Sequence, residues 1–117
     1  MEIKNAKITS VSITMEDHGC LSFYIMLEGD GWACNYGGYA IAHGYLGAKE
    51  FKAENGHGLE AMMEIMDTVG VNKWEDLKGK YVRVQTEGWG GKIDTIGNVI
   101  KEKWFNVAAF FASKKEG

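Results

Sequence analysis

Cys20-Leu21-Ser22-Phe23-Tyr24-Ile25-Met26-Leu27-Glu28-Gly29-Asp30-Gly31 is the stretch whose reading decides the fold. Leu21, Phe23, Ile25 and Leu27 fall on one side of an extended chain, and Ser22, Tyr24 and Met26 fall on the other. This period of two belongs to a half-buried strand. Glu28-Gly29-Asp30-Gly31 ends it with residues that favour turns. Upstream, Val11, Ile13 and Met15 alternate with Ser12, Thr14 and Glu16 in the same way. Ile3, Ala6 and Ile8 are out of phase with them, which predicts a bulge or bend between Ile8 and Val11. Asp17-His18-Gly19 supplies the intervening turn. Downstream, residues 32–41 form a third strand, less regular and rich in glycine and aromatics. Three successive strands with tight turns make an antiparallel meander.

Beyond the meander the period changes. Residues 42–57 show none, and read as a long loop with a short helical turn at 48–51. Leu59, Met62, Met63, Met66 and Val69 then recur at three and four residues, a helical stripe from Gly58 that Gly70 caps. This spacing makes the methionines core residues rather than a peptide groove. Residues 72–77 add one more helical turn, ended by Gly79. Residues 81–87 alternate again, with Val82 and Val84 facing in. Gly88-Trp89-Gly90-Gly91 turns the chain into a last strand, 92–103. Asn106 can cap a short terminal helix through Phe110 and Phe111, beyond which the tail frays. The expected fold is α+β, a single domain over residues 1–117. It is either an open antiparallel sheet or a small OB-like barrel of three strands, a helix and two strands, with a short C-terminal helix.

Composition narrows the function. With 13 basic and 16 acidic side chains the net charge is -3. A protein that neutralises many phosphates carries a basic surplus, so binding of long nucleic acid is disfavoured. No apolar run approaches a membrane span, and the N-terminus enters polar–apolar alternation without a signal-peptide pattern. Cys20 and Cys34 lack the spacing of a redox pair or zinc knuckle, which fits packed free thiols and a cytoplasmic setting.

No nucleophile elbow, phosphate-binding loop or dinucleotide fingerprint is present, so no enzyme is expected. Asp17, His18 and Cys20 read as a turn rather than a catalytic pair. His18, Cys20, Cys34 and His43 lack the close ligand pairs of a structural zinc site, and neither metal nor cofactor is expected. The informative stretch is 29–51, where Trp32, Tyr36, Tyr39, Tyr45 and Phe51 are interleaved with six glycines. Aromatics offer stacking faces and glycine lets a ligand approach the backbone. Gly88-Trp89-Gly90-Gly91-Lys92 repeats the recipe and adds a cation. The same residues also suit covering the ends of a small fold, or a self-association surface.

Asp17-His18-Gly19-Cys20-Leu21, Gly37-Gly38-Tyr39, Gly44-Tyr45-Leu46-Gly47, Met66-Asp67-Thr68-Val69-Gly70-Val71 and Trp74-Glu75-Asp76-Leu77-Lys78-Gly79-Lys80-Tyr81 resemble a family of small proteins carried by phages and prophages of Gram-positive bacteria. The likeness spans most of the chain and brings no catalytic residues. It implies a function by binding: sequestering a host defence signal, blocking a defence protein, or assisting phage DNA metabolism.

The leading expectation is a counter-defence protein holding a small nucleotide-type ligand between Trp32, Tyr36, Tyr39, Tyr45 and Trp89, with Arg83, Lys92 and His43 meeting phosphate. A small ligand has few phosphates, so one or two cations suffice despite the negative charge. One alternative is an inhibitor of a host defence protein, with Glu28, Asp30, Glu54, Glu60 and Glu64 as an acidic patch. Another is an accessory protein that binds single-stranded DNA on stacking aromatics. A homodimer is also expected, with Trp32 or Tyr39 in the contact.

Overall fold

The computed structural model describes residues 2–17, 20–43, 50–53, 55–86 and 93–115. The chain runs β1 (Glu2–Asp17), β2 (Cys20–Gly29), β3 (Trp32–His43), β4 (Lys52–Ala53), α1 (His57–Val69), a 3-10 turn (Trp74–Leu77), β5 (Tyr81–Thr86), β6 (Thr95–Gly97), β7 (Trp104–Asn106) and α2 (Val107–Lys115). The strands form one antiparallel sheet in the order β4-β3-β2-β1-β5-β6-β7. Among the described residues no pair closes this order into a barrel. The α+β class and the β1-β2-β3 meander are as the sequence predicts, in the open-sheet form.

β1 is the spine. Its first half, from Glu2 to Lys7, pairs with β5, and its second half pairs with β2. The register shifts between Ile8 and Ser10, the bend that the phase change of the apolar residues predicts. Ala6, Ile8, Phe23, Ile25, Leu27, Val82, Val84 and Ile96 are buried together with α1 residues Ala61, Met62 and Ile65. Each Val, Leu, Ile, Phe or Met side chain among them contributes about 1.5–3 kcal/mol when fully buried. Ile13 and Met15, expected to face inward, are 44% and 36% exposed, although Ile13 pairs with the buried Phe23.

Three further corrections follow from local chemistry. The buried stripe of α1 is Gly58, Ala61, Met62, Ile65 and Thr68, so Leu59 and Met63 face outward. The helix docks through its smallest residues because Gly58 lies against β3. A Cβ there would stand 2.8 Å from the carbonyl oxygen of Ala40. The segment at 52–53, read as loop, adds the short strand β4. The single strand expected at 92–103 is instead β6, a turn and β7. Asn98 makes that turn: its Oδ1 accepts hydrogen bonds from the backbone N–H groups of Ile100 and Lys101, at 2.8 and 2.9 Å. Its Nδ2 donates to the carbonyls of Thr68 and Val69, satisfying the open end of α1. Gly70 caps α1 with φ of 95°, its N–H donating to the Met66 carbonyl, and Asn106 Oδ1 accepts from Ala109 N–H at the start of α2. No helix among the described residues is long and apolar enough to cross a membrane.

Candidate binding groove

The aromatic and glycine residues of the meander part company once folded. Trp32 pairs with Gly29 across the β2–β3 turn, and its indole occupies the space above that glycine, where a Cβ would fall 2.1 Å from the ring. Tyr36 is 1% exposed and belongs to the core, and its hydroxyl donates to the Phe105 carbonyl at 3.2 Å. Burial raises its phenol above the ordinary range. Tyr36 therefore cannot wall a ligand pocket, a correction to the sequence reading. Trp32 and Tyr39 are seven residues apart along one strand, roughly 23 Å, too far to face one small ligand within one chain.

Arg83 is also differently employed. Nε donates to the Asn98 carbonyl at 2.7 Å and Nη2 to the Lys101 carbonyl at 2.9 Å. Nη1 pairs with Glu102 at 3.0 Å, and the guanidinium lies 4.4 Å from the ring centre of Trp104. Trp104 in turn covers Gly97, whose missing Cβ would meet the indole at 2.4 Å. The cation expected to meet phosphate instead fastens the β6–β7 turn. His43 stands at the far end of β3, its Nδ1 3.3 Å from Cys20 Sγ. Tyr45, Trp89 and Lys92 lie outside the described residues, as do His18 and Glu54. Among the described residues no group of three His, Cys, Asp or Glu side chains is placed to hold a metal ion. Of the expected acidic patch, Glu28 and Asp30 sit at the β2–β3 turn while Glu60 and Glu64 lie on α1, two separate elements.

Among the described residues, Tyr39 is the expected site residue that borders a groove. Its ring stacks on Phe111 of α2, with centroids 4.0 Å apart and planes 7° from parallel. Beside this pair is a groove of about 250 Å³ lined by Tyr39, Ala40, Asn55, His57, Gly58, Phe111 and Lys114. Gly56 precedes α1 with φ of 92°, and no side chain caps the helix. The first turn of α1, the positive end of the helix dipole, borders the groove through His57 and Gly58. Asn55 Oδ1 accepts from the His57 N–H at 3.1 Å. Glu60 lies 3.6 Å from His57 Nδ1 and pairs with Lys114 Nζ at 3.4 Å, and so ties α1 to α2. The groove thus has a flat aromatic edge, a lysine ammonium paired with one half-exposed carboxylate, an imidazole, and a helix N-terminus.

Asn55, His57, Phe111 and Lys114 were not singled out in the sequence. Their only signal is Gly56-His57-Gly58 at the start of a helix, and α2 reaches the groove through tertiary packing alone. A second depression, of about 550 Å³, is lined by Lys73, Glu75, Asp76, Lys78 and Lys80 among others. It mixes both charge signs and has no aromatic wall, so it suits stacking recognition poorly. Compared with protein-family models, curated proteins and solved structures, the chain matches none.

Proposed function

We propose that this chain is a binding protein for a small anionic ligand with a planar ring, of nucleotide type, seated in the Tyr39–Phe111–Lys114 groove. The observation that carries the reading is the stacked Tyr39–Phe111 pair edging a groove that also holds Lys114, His57 and the N-terminus of α1. An aromatic edge takes a base and a cation takes a phosphate. At about 250 Å³ the groove lies just below the usual range for ligand pockets, roughly 300–1,000 Å³. It suits one nucleotide unit rather than a whole dinucleotide. The resemblance to phage-borne proteins supports a setting in which the ligand, a host defence signal, is sequestered rather than turned over.

Calorimetry and thermal shift against cyclic mononucleotides, cyclic dinucleotides and ADP-ribose-type compounds test this. A ligand at one hundred times its Kd stabilises by about 2.7 kcal/mol, several degrees in Tm. We expect such a shift from a single-base compound, and its loss in Lys114→Glu with folding retained. No shift from any of the three classes, or an unchanged affinity in Lys114→Glu, would overturn the reading.

A further inference from the structure

β3 is twelve residues long, yet among the described residues its outer side is paired only at Ala42 and His43, by the two-residue β4. Residues 32–36 are thus an open edge, and they contain no Lys, Arg, Asp, Glu or Pro, the residues that usually protect such an edge from pairing. The other edge of the sheet, β7, is three residues long and runs directly into α2. We propose that the outer edge of β3 pairs with the same edge of a second copy, antiparallel about a two-fold axis at Cys34. This goes beyond the ligand reading and does not depend on it.

Three observations favour a second copy as the occupant. First, the stretch 32–36 is uninterrupted, whereas Gly37 and Gly38, with φ of 101° and 81°, bend the strand just beyond. An axis at Cys34 uses only the regular part and sets residue 32 opposite 36 and 33 opposite 35. Side chains on the core side then meet core-side neighbours, and the exposed Ala33 meets the exposed Asn35. Second, opposite charges face along the pair. The turn holding Glu28 and Asp30 in one copy extends toward the Gly38–Tyr39 end of the other, where the Lys114 ammonium, shared with Glu60, lines the groove. Third, the pairing closes. The same edge is used by both copies about a two-fold axis, so one pairing saturates it and the product is a dimer and not a fibre.

Light scattering and sedimentation on the full chain without ligand test the proposal. We expect twice the chain mass of 13.0 kDa, and a monomer for the double variant Ala33→Lys, Asn35→Lys. That variant sets lysine opposite lysine across the axis, and both sites are exposed, so the fold should survive, as circular dichroism would show. In a Cys20→Ser background, mild air oxidation should join the two copies through Cys34. Opposed residues in antiparallel strands stand about 4.5–5.5 Å apart at Cα, within disulfide reach. A 13.0 kDa particle at high concentration would overturn the proposal. So would a dimer that survives the lysine pair but dissociates in Met63→Glu on the outer face of α1. Either result leaves the ligand reading to its own test.

Discussion

Two places in this molecule are built from the same parts and end differently. On one, Gly97, Trp104 and Arg83 stack in turn, and Arg83 donates to two backbone carbonyls and pairs with Glu102. Glu102 also accepts from the Trp104 indole at 3.2 Å. Nε, Nη1 and Nη2 of Arg83 are all engaged, so the cluster works as a rivet. On the other, Gly58, the Tyr39–Phe111 stack and Lys114 surround a groove, and the cation meets a half-exposed carboxylate on the neighbouring helix and, at 5.1 Å, the Phe110 ring. A glycine, an aromatic and a cation do not by themselves make a binding site. What separates the two is unspent hydrogen-bonding capacity next to open space.

Mutations can break or sharpen this contrast. The largest effect belongs to the rivet: in Gly97→Val the new side chain must displace Trp104, at about 1–3 kcal/mol by urea denaturation, with affinity for a groove ligand unchanged. Arg83→Ala should lose about 2 kcal/mol, because charge-assisted bonds to the turn disappear, again without touching the groove. If either variant weakens nucleotide binding as strongly as it weakens the fold, the two regions are not separate.

Phe111→Leu keeps apolar volume but removes the stack, so it should reduce nucleotide affinity about tenfold while stability falls by about 0.5–1.5 kcal/mol. Equal affinity in this variant would show that the aromatic edge is not used. Glu60→Gln releases His57 and Lys114 from their shared carboxylate. A ligand phosphate should then bind a few-fold more tightly, with less than about 0.5 kcal/mol change in stability for this exposed contact. Weaker binding by calorimetry would mean that Glu60 itself contacts the ligand.

The smallest effect concerns acid. The indole of Trp104 and then the Arg83 guanidinium hold the Glu102 carboxyl below its usual value of 4.5. A depressed folded-state pKa gives stability that is complete above the unfolded value and lost as pH falls through the folded one. Trp104 fluorescence should therefore shift below pH 4.5, and Glu102→Gln should abolish that component of the titration. Burial pushes the Cys34 thiol up. Its alkylation at neutral pH should therefore be slower than that of a free thiol, and edge pairing should slow it further.

The strands of the meander were legible because alternation along β1 and β2 reports a half-buried sheet directly, and even the bend after Ile8 showed as a change of phase. The caps at Gly70 and Asn106 were legible for a similar reason, since both act within a few residues. The turn at Asn98 was not, because half of its function is to bind the end of α1, thirty residues away in sequence. The helix stripe was misjudged at Leu59 and Met63, where Gly58 and Ala61 win the sheet-facing side by being small. In the groove, Tyr39 was visible as an aromatic among glycines. Its partners Phe111 and Lys114 were not, since the approach of α2 has no local signature. Tyr36 looked the same as Tyr39 in sequence, and only the Phe105 carbonyl waiting beneath it sends it inward.

The division of β1 between two neighbours has a consequence for how the molecule is made. Its second half meets β2 across a hairpin, so that pairing can form as soon as both have been synthesised. Its first half has to wait for β5, from Lys7 until Tyr81 has been added. At ~5–20 residues per second that is an interval on the order of 4–15 s. Throughout it, the stretch that carries Ala6 presents an apolar edge with no β5 to cover it. Lys4 and Lys7 flank that stretch, and charges in this position act as gatekeepers that discourage pairing with another nascent chain.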